Sequence, residues 1–309
     1  MTGGRLPLVR DLGGEELFHV ARDGTRVRFA QFMPNNPRAY ILFLPGFTEF
    51  IEKHLETIGE LLTRGYGVLC LDWRGQGLSD RELDDRHRGY VASMNLFVAD
   101  MAEILALTGF FARGMPCILL GHSMGGHLAL RVAMEIPGRI DRIVLCAPMI
   151  DILTGSLPRG LAPIIARLSV WTGWAQRYLP GSERSDNRIY EFEGNLLTHD
   201  PDRFYRTQAQ IARNPDLAIS AATFGWVDAA FRSIKQVNHP ERLASIAAPV
   251  LLFQAGQERI VSNPAQDWLC STLPNAWKIE IPESRHEILS EIDAIRAIFW
   301  REVDRFLGG

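Results

Sequence analysis

Five short apolar runs, each followed by turn residues and then by a helix-like pattern, constrain the fold of this chain more than any other feature. The runs cover residues 39–44, 67–71, 117–120, 143–146 and 250–254. None of them alternates polar and apolar side chains, which is typical of strands buried on both faces of a parallel sheet with helices between the strands. The sequence therefore predicts an α/β fold with a mostly parallel central sheet.

Two earlier segments, residues 16–20 and 25–32, are separated by Arg22-Asp23-Gly24. Because Asp-Gly is a turn signal between strand-like segments, they are predicted to form an antiparallel hairpin at one edge of the sheet. Near the other end of the chain, residues 278–281 are predicted to form a further strand.

The pattern changes between about residues 151 and 237. Leu, Ile, Trp, Phe and Ala recur there at helical spacing among Gly and Pro, and no buried-strand run is found. An insertion at the carboxyl edge of an open α/β sheet lies where such sheets bind ligands. We therefore expect a core domain of residues 1–150 and 238–309 and a helical cap of residues 151–237 that roofs the site.

Charge and cysteine usage exclude several classes of protein. The 309 residues include 33 basic and 36 acidic side chains, a net charge of −3 without long blocks of one sign, so a nucleic-acid partner is not expected. The four cysteines are not spaced as a metal or redox pair, and we interpret them as reduced core residues: Cys70, Cys117, Cys146 and Cys270. The sequence shows no signal peptide and no apolar stretch long enough for a membrane span. A cytoplasmic protein is expected, with peripheral contact to the inner face of the membrane left open.

Residues 121–125, Gly-His-Ser-Met-Gly, fit the pattern G-x-S-x-G between a predicted strand and a predicted helix. A serine at such a sharp turn has a strained backbone, and the glycines are needed because a Cβ would collide with the neighbouring strand and helix. Ser123 is therefore the candidate nucleophile. The alternative is a tight glycine-rich turn in which the serine has no chemical role.

A serine nucleophile needs a histidine base and a carboxylate that orients it, and on this fold the chain order is serine, acid, histidine. His286 alone among the eight histidines lies beyond the last predicted strands. His122 and His127 are too close to Ser123 in sequence to act as its base. Glu258, in the loop after residues 250–254, is the preferred acid, and Asp151, after the strand at 143–146, is the competing one.

Acyl transfer also needs two backbone N–H groups directed at the developing oxyanion. The residue after the nucleophile, Met124, supplies the first. The second is expected from Phe47, because Gly46 permits a turn after the strand at 39–44 that exposes this amide. An ordinary turn with Phe47 as a core side chain is the alternative.

Six sequence blocks together resemble the serine α/β-hydrolases of the monoglyceride lipase and lysophospholipase group, which are serine aminopeptidase S33-like, and most closely their bacterial lysophospholipase L2 branch. The blocks are Pro45-Gly-Phe-Thr-Glu49, Asp72-Trp-Arg-Gly-Gln-Gly-Leu-Ser79, His87-Arg-Gly-Tyr-Val91, Gly121-His-Ser-Met-Gly-Gly126, Gly256-Gln-Glu-Arg-Ile-Val261 and Arg285-His-Glu-Ile-Leu289.

The resemblance implies an α/β-hydrolase fold, a triad of Ser123, Glu258 and His286, an oxyanion hole from the amides of Phe47 and Met124, and a cap between the sixth and seventh strands. Two departures stand out. The chain has Pro45-Gly46 where monoglyceride lipases usually have His-Gly, and Glu258 where the family usually has aspartate.

Other residues have open roles. The segment 72–79 is interpreted as a loop held by an ion pair and tight turns, and Trp73 either lines the pocket or packs. Apolar cap residues either line an acyl-chain groove or pack between cap and sheet: Leu157, Leu161, Ile164, Ile165, Trp171, Trp174 and Trp226.

The leading hypothesis is a serine carboxylic-ester hydrolase that forms an acyl-serine intermediate on single-acyl lipids, a lysophospholipid or a monoacylglycerol. Its expected partner is a lipid or small-molecule ester, and the mechanism needs no metal or organic cofactor. Two alternatives remain: a short-chain esterase or aminopeptidase-like hydrolase on the same scaffold, and a ligand-binding protein that keeps the fold without turnover. Epoxide hydrolases and dehalogenases of this fold carry aspartate at the nucleophile position, and Ser123 argues against both.

Overall fold

The computed structural model describes residues 6–155, 157–182 and 191–308. The predicted cap therefore includes residues 156 and 183–190, which lie outside the described residues.

In this part of the chain an eight-stranded sheet forms the centre of the molecule. Its strands are β1 (Glu15–Val20), β2 (Arg26–Phe32), β3 (Ala39–Leu44), β4 (Tyr66–Leu71), β5 (Cys117–His122), β6 (Arg142–Cys146), β7 (Val250–Ala255) and β8 (Ala276–Ile281). They are ordered β1-β2-β4-β3-β5-β6-β7-β8 across the sheet. The β1–β2 and β2–β4 pairs are antiparallel and the others are parallel, so the predicted hairpin at one edge is confirmed.

The strands predicted from unbroken apolar runs occupy the middle of the sheet. Every residue of β3, β4, β5 and β7 is buried, because helices cover both faces of these strands. The edge strands β1 and β8 instead mix exposed and partly buried residues. The runs in the sequence thus mark the buried centre of the sheet.

The helices form two layers around the sheet. They are α1 (Leu55–Thr63), α2 (Met94–Leu107), α3 (Met124–Glu135), α4 (Leu161–Trp171), α5 (Pro201–Arg213), α6 (Phe224–Val237), α7 (Pro240–Leu243), α8 (Asn263–Thr272) and α9 (Asp293–Leu307). Helices α1 and α9 share one apolar core with the sheet, and α2, α3, α6 and α8 share the other. A two-residue parallel ladder joins Arg88–Gly89 to Ala221–Ala222 outside the main sheet.

The chain between β6 and β7 contributes α4 to α7. Helix α5 begins at Pro201 and is capped by Asp200, whose carboxylate accepts a hydrogen bond from the Arg203 amide at 2.9 Å. Helix α6 is capped by Thr223 and packs its buried side against α2 and α3. Helix α4 packs on α6, but no side chain caps its N-terminus and much of its apolar surface is exposed.

The segment 72–79 is a structural loop, as predicted. The Asp72 carboxylate pairs with the Arg28 guanidinium at 2.9 Å, and Arg74 pairs with Asp100 at 2.7 Å, so the partners come from other elements. Trp73 packs: it is 1% exposed, and its indole N–H donates to the carbonyl of Pro45 at 2.8 Å. The loop thereby supports the turn that follows β3.

Candidate active site

Ser123 stands alone between the end of β5 and the start of α3. Its φ is +50°, the left-handed region that non-glycine residues rarely adopt. A Cβ at Gly125 would lie 1.9 Å from the carbonyl oxygen of Leu44, and one at Gly121 would lie 2.6 Å from the carbonyl oxygen of Gly125. The two glycines are therefore required for β5 to turn into α3 this sharply, with Ser123 at the tip.

The structure brings Ser123, His286 and Glu258 together from three separate loops. The Ser123 Oγ lies 2.9 Å from His286 Nε2, and His286 Nδ1 lies 2.7 Å from a carboxylate oxygen of Glu258. All three residues are buried. This is the arrangement in which a histidine takes the proton of a serine hydroxyl while a carboxylate fixes its tautomer.

Local contacts keep Glu258 ionised. Its second carboxylate oxygen accepts backbone N–H groups of Arg259, Ile260 and Val261 at 2.9, 2.7 and 3.3 Å. Burial alone would raise the pKa of this carboxyl, but the His286 hydrogen bond and charge and the backbone N–H groups outweigh it, so the pKa lies below its ordinary value. An ionised Glu258 accepts a hydrogen bond from the N–H at His286 Nδ1, so the lone pair of Nε2 faces Ser123.

The competing acid, Asp151, is used elsewhere. One of its carboxylate oxygens pairs with Arg159, and the other accepts the backbone N–H of Ile152 at 2.9 Å. Since His286 Nδ1 already bonds to Glu258, the geometry favours Glu258 as its partner.

The turn after β3 presents the second predicted oxyanion donor. In the described part of the chain, the amides of Phe47 and Met124 have no hydrogen-bond partner, and both residues line the cavity at Ser123. The turn is fixed on both sides of Phe47: the Gly46 amide donates to the Glu49 carboxylate, and the Thr48 amide donates to Gln76 at 2.7 Å. The Phe47 side chain is partly buried and packs on the apolar core, with its ring centroid 4.1 Å from that of Trp226.

A cavity of about 300 Å³ opens at Ser123. Its lining is largely apolar and includes Met149, Ile152, Leu179, Leu197, Trp226, Val227, Ile260 and Val261. A second cavity of about 420 Å³ shares Thr48, Leu197 and Glu287 with it. The segment between β6 and β7 therefore supplies part of the wall beside the serine.

The apolar residues singled out in that segment fall into two groups. Trp226 is 6% exposed and lines the cavity. The others are exposed at the surface: Leu157, Leu161, Ile164, Ile165, Trp171 and Trp174. None of these side chains lines the cavity. Four of them lie on the exposed surface of α4: Leu161, Ile164, Ile165 and Trp171.

Sequence reasoning missed a buried polar cluster beneath the site. The cluster contains three residues from the chain after β3, namely Glu49, Lys53 and His54. They contact His122 and, in the loop that carries His286, Glu287. Because these contacts join residues up to 234 positions apart, no local sequence pattern could have predicted them.

No cluster of three or more His, Cys, Asp or Glu side chains suited to a metal ion occurs in the described residues. Within the same residues, no helix is long and apolar enough to cross a bilayer.

Comparison with known proteins assigns the chain to a family. The model of the family described as serine aminopeptidase, S33, matches residues 35–293. Lysophospholipase L2 of Escherichia coli K12 is 31% identical over 285 residues, covering 89% of this chain and 82% of that protein. The chain belongs to the serine aminopeptidase S33 family. It is thus an enzyme, a serine hydrolase, and the resemblance read from the six sequence blocks is confirmed.

More distant relatives are also similar to this chain in sequence or in structure. Monoacylglycerol lipase of Mycolicibacterium smegmatis is 21% identical over 242 residues, which cover 77% of each chain. The structure of a soluble variant of monoglyceride lipase from Saccharomyces cerevisiae, in complex with a substrate analog, superposes with a TM-score of 0.74 at 19% identity and covers 95% of this chain and 94% of its own. The α/β-hydrolase fold predicted from the sequence is confirmed.

Proposed function

We propose that this S33-family chain hydrolyses carboxylic esters of single-acyl lipids, lysophospholipids or monoacylglycerols, through an acyl-serine intermediate. The observation that carries the proposal is the hydrogen-bonded series Ser123, His286 and Glu258 at the mouth of an apolar cavity. The relatives named as lysophospholipase L2 and monoacylglycerol lipase support the substrate class.

The proposed chemistry begins when Ser123 Oγ attacks the ester carbonyl carbon and its proton passes to His286 Nε2. The amides of Phe47 and Met124 donate hydrogen bonds to the oxyanion of the tetrahedral intermediate. When the C–O bond breaks, His286 gives the proton to the departing alcohol. Water then gives a proton to His286 Nε2 and attacks the acyl carbon. When the second intermediate collapses, the bond to Ser123 Oγ breaks, His286 returns the proton to this oxygen, and the acid is released.

The apolar cavity is the proposed place for the acyl chain. Trp226, Leu179 and Leu197 form its wall on the side of the inserted segment, and Met149 and Ile152 contribute from the chain after β6. Burying apolar chain atoms there contributes about 0.8 kcal/mol per CH₂ group. We propose that residues 151–237 act as the cap that encloses this chain, with the rest of the molecule as the core domain.

A membrane contact is proposed for the outer face of α4. Leu161, Ile164 and Leu168 are between 47% and 54% exposed, and Trp171 is 84% exposed. An exposed apolar helix face is typical of a surface that inserts between the headgroups and the acyl chains of a bilayer. Such contact would bring the cavity close to substrates held in the membrane.

The experiment is fatty-acid release from lysophosphatidylcholine and from a monoacylglycerol, compared between the purified protein and its Ser123→Ala variant. Removing the hydroxyl should abolish release, a loss of about 10⁴-fold or more, while the circular dichroism spectrum stays unchanged. Equal release by the variant would contradict the mechanism. Serine-dependent cleavage of short esters alone would reject the lipid substrates while keeping the esterase.

A further inference from the structure

The carboxylate of Glu49 has four polar contacts, and the residue is only 3% exposed. One oxygen lies 2.7 Å from the Lys53 ammonium. The other accepts the Gly46 amide and lies 3.1 Å from His54 Nε2 and 3.0 Å from His122 Nδ1. Three of these contacts meet at one oxygen and the Lys53 ammonium meets the other. Burial alone would raise the pKa of the Glu49 carboxyl, but the nearby positive charges and hydrogen bonds outweigh burial and hold the pKa well below its ordinary value, so Glu49 is ionised.

This arrangement fixes the protonation of His122. Its Nδ1 faces the ionised Glu49, and its Nε2 lies 3.2 Å from the backbone carbonyl oxygen of His286. A carbonyl can only accept, and so can an ionised carboxylate. Both ring nitrogens of His122 must therefore donate, which requires the imidazolium form.

Within the buried cluster of Glu49, Lys53, His122 and Glu287, the charges balance when His122 is charged. Lys53 also pairs with Glu287 at 2.5 Å, so one ammonium faces two carboxylates. With His122 as imidazolium the cluster holds two positive and two negative charges, and with neutral His122 it holds one uncompensated buried carboxylate, which is costly.

The electrostatics of His122 agree with this assignment. Burial alone would lower its pKa, but the charge and hydrogen bond of Glu49 and the charge of Glu287 outweigh burial and Lys53, so the pKa lies above its ordinary value. On the neighbouring strand β6, Cys146 stays a neutral thiol because burial raises its pKa.

We propose that His122 is a positioning residue of this hydrolase, held as an imidazolium, that couples the oxyanion turn to the loop carrying His286. Through Glu49 it reaches the amide of Gly46, the residue before the oxyanion donor Phe47. Through its Nε2 it holds the backbone of His286, and it directly precedes Ser123 in the chain. One ring thus sets the relative positions of the nucleophile, the base and the oxyanion donor.

The coupling predicts a pH dependence. When His122 loses its proton, one of its two hydrogen bonds is lost, and its cluster with Glu49, Lys53 and Glu287 gains net negative charge beside the His286–Glu258 pair. Since the pKa of His122 lies above its ordinary value, the charged form persists to higher pH, and the contribution of His122 to activity should be lost as rising pH passes through that pKa.

The kinetic test uses His122→Asn, which retains a donor near the Nδ1 position, and His122→Gln, which retains one near Nε2. Both variants lack the charge. With a soluble ester, kcat should fall about 10- to 100-fold while KM changes little. The acidic limb of the kcat/KM profile should move up by about one pH unit, because lost positive charge favours protonated His286. A matched control, His239→Gln on the surface, should keep the wild-type profile. Wild-type kcat and profile in both His122 variants would overturn the proposal.

A second measurement does not depend on activity, and so separates this inference from the proposed function, on which its kinetic part rests. With ¹⁵N-histidine, the spectrum at pH 8 should contain a signal from a ring with two protonated nitrogens that vanishes in His122→Gln and persists in His239→Gln. Neutral rings throughout, or a spectrum in which His122→Gln removes no signal of a doubly protonated ring, would overturn the proposal even if ester hydrolysis is confirmed.

Discussion

The site around Ser123 and helix α4 differ in the contacts that their side chains make. Around Ser123, the proposed catalytic groups are buried and linked by hydrogen bonds that cross 28 to 164 positions of sequence. On α4, the helix begins without a side-chain cap and presents apolar side chains to the solvent. Reaction geometry therefore depends here on dense, long-range polar contacts, whereas the proposed membrane contact of α4 would depend on apolar area that needs no particular partner.

The largest expected effects fall on the first region. Glu258→Gln removes the charge that supports protonated His286 and should lower kcat about 10³-fold with a soluble ester, less than the loss from His286→Ala. Asp151→Asn should stay within about twofold of the wild type, because the carboxylate of Asp151 contacts Arg159 and the Ile152 amide instead. Steady-state kinetics of the three variants measures this ranking. If Asp151→Asn proved the more damaging acid replacement, the assignment of Glu258 would be wrong.

A smaller effect is expected on the second region, and only with membranes present. The triple variant Leu161→Ser, Ile165→Ser, Leu168→Ser removes apolar area from one face of α4 and should weaken binding to lipid vesicles roughly 10-fold. Turnover of a soluble ester should be unchanged, since these side chains do not line the cavity. Vesicle co-sedimentation and a soluble-ester assay measure the two properties.

The matched control is Leu107→Ser, because Leu107 is 63% exposed on α2, outside the α4 face. It should leave vesicle binding unchanged. Equal loss of binding in the control and the triple variant, or no loss in either, would remove α4 as the membrane contact.

The centre of the fold could be predicted because its signals are local. Unbroken apolar runs marked β3, β4 and β5 to within one or two residues, and Asp23-Gly24 marked the turn of the edge hairpin. The glycines beside Ser123 could be interpreted in the same way, since the clash of a Cβ at Gly125 follows from a strand that turns directly into a helix. Chain order then brought the candidate acid and base to the same edge.

The rest depends on contacts that periodicity does not encode. Helical spacing showed that α4 has an apolar face, but whether that face meets protein or solvent is decided by packing on α6. His122 could be dismissed as a base from its position beside Ser123, yet its bond to the carbonyl of His286 spans 164 positions. The ionic partners of the loop at 72–79 were also distant, with Arg28 and Asp100 on other elements.

The most direct measurement is intact-mass and peptide mass spectrometry after reaction with a fluorophosphonate, which captures an activated serine. One adduct is expected, and it should be located on Ser123. It should form at least about 10³-fold more slowly in His286→Ala and be absent in Ser123→Ala. An adduct on another residue, or unchanged labelling when His286 is replaced, would contradict a serine activated by this histidine.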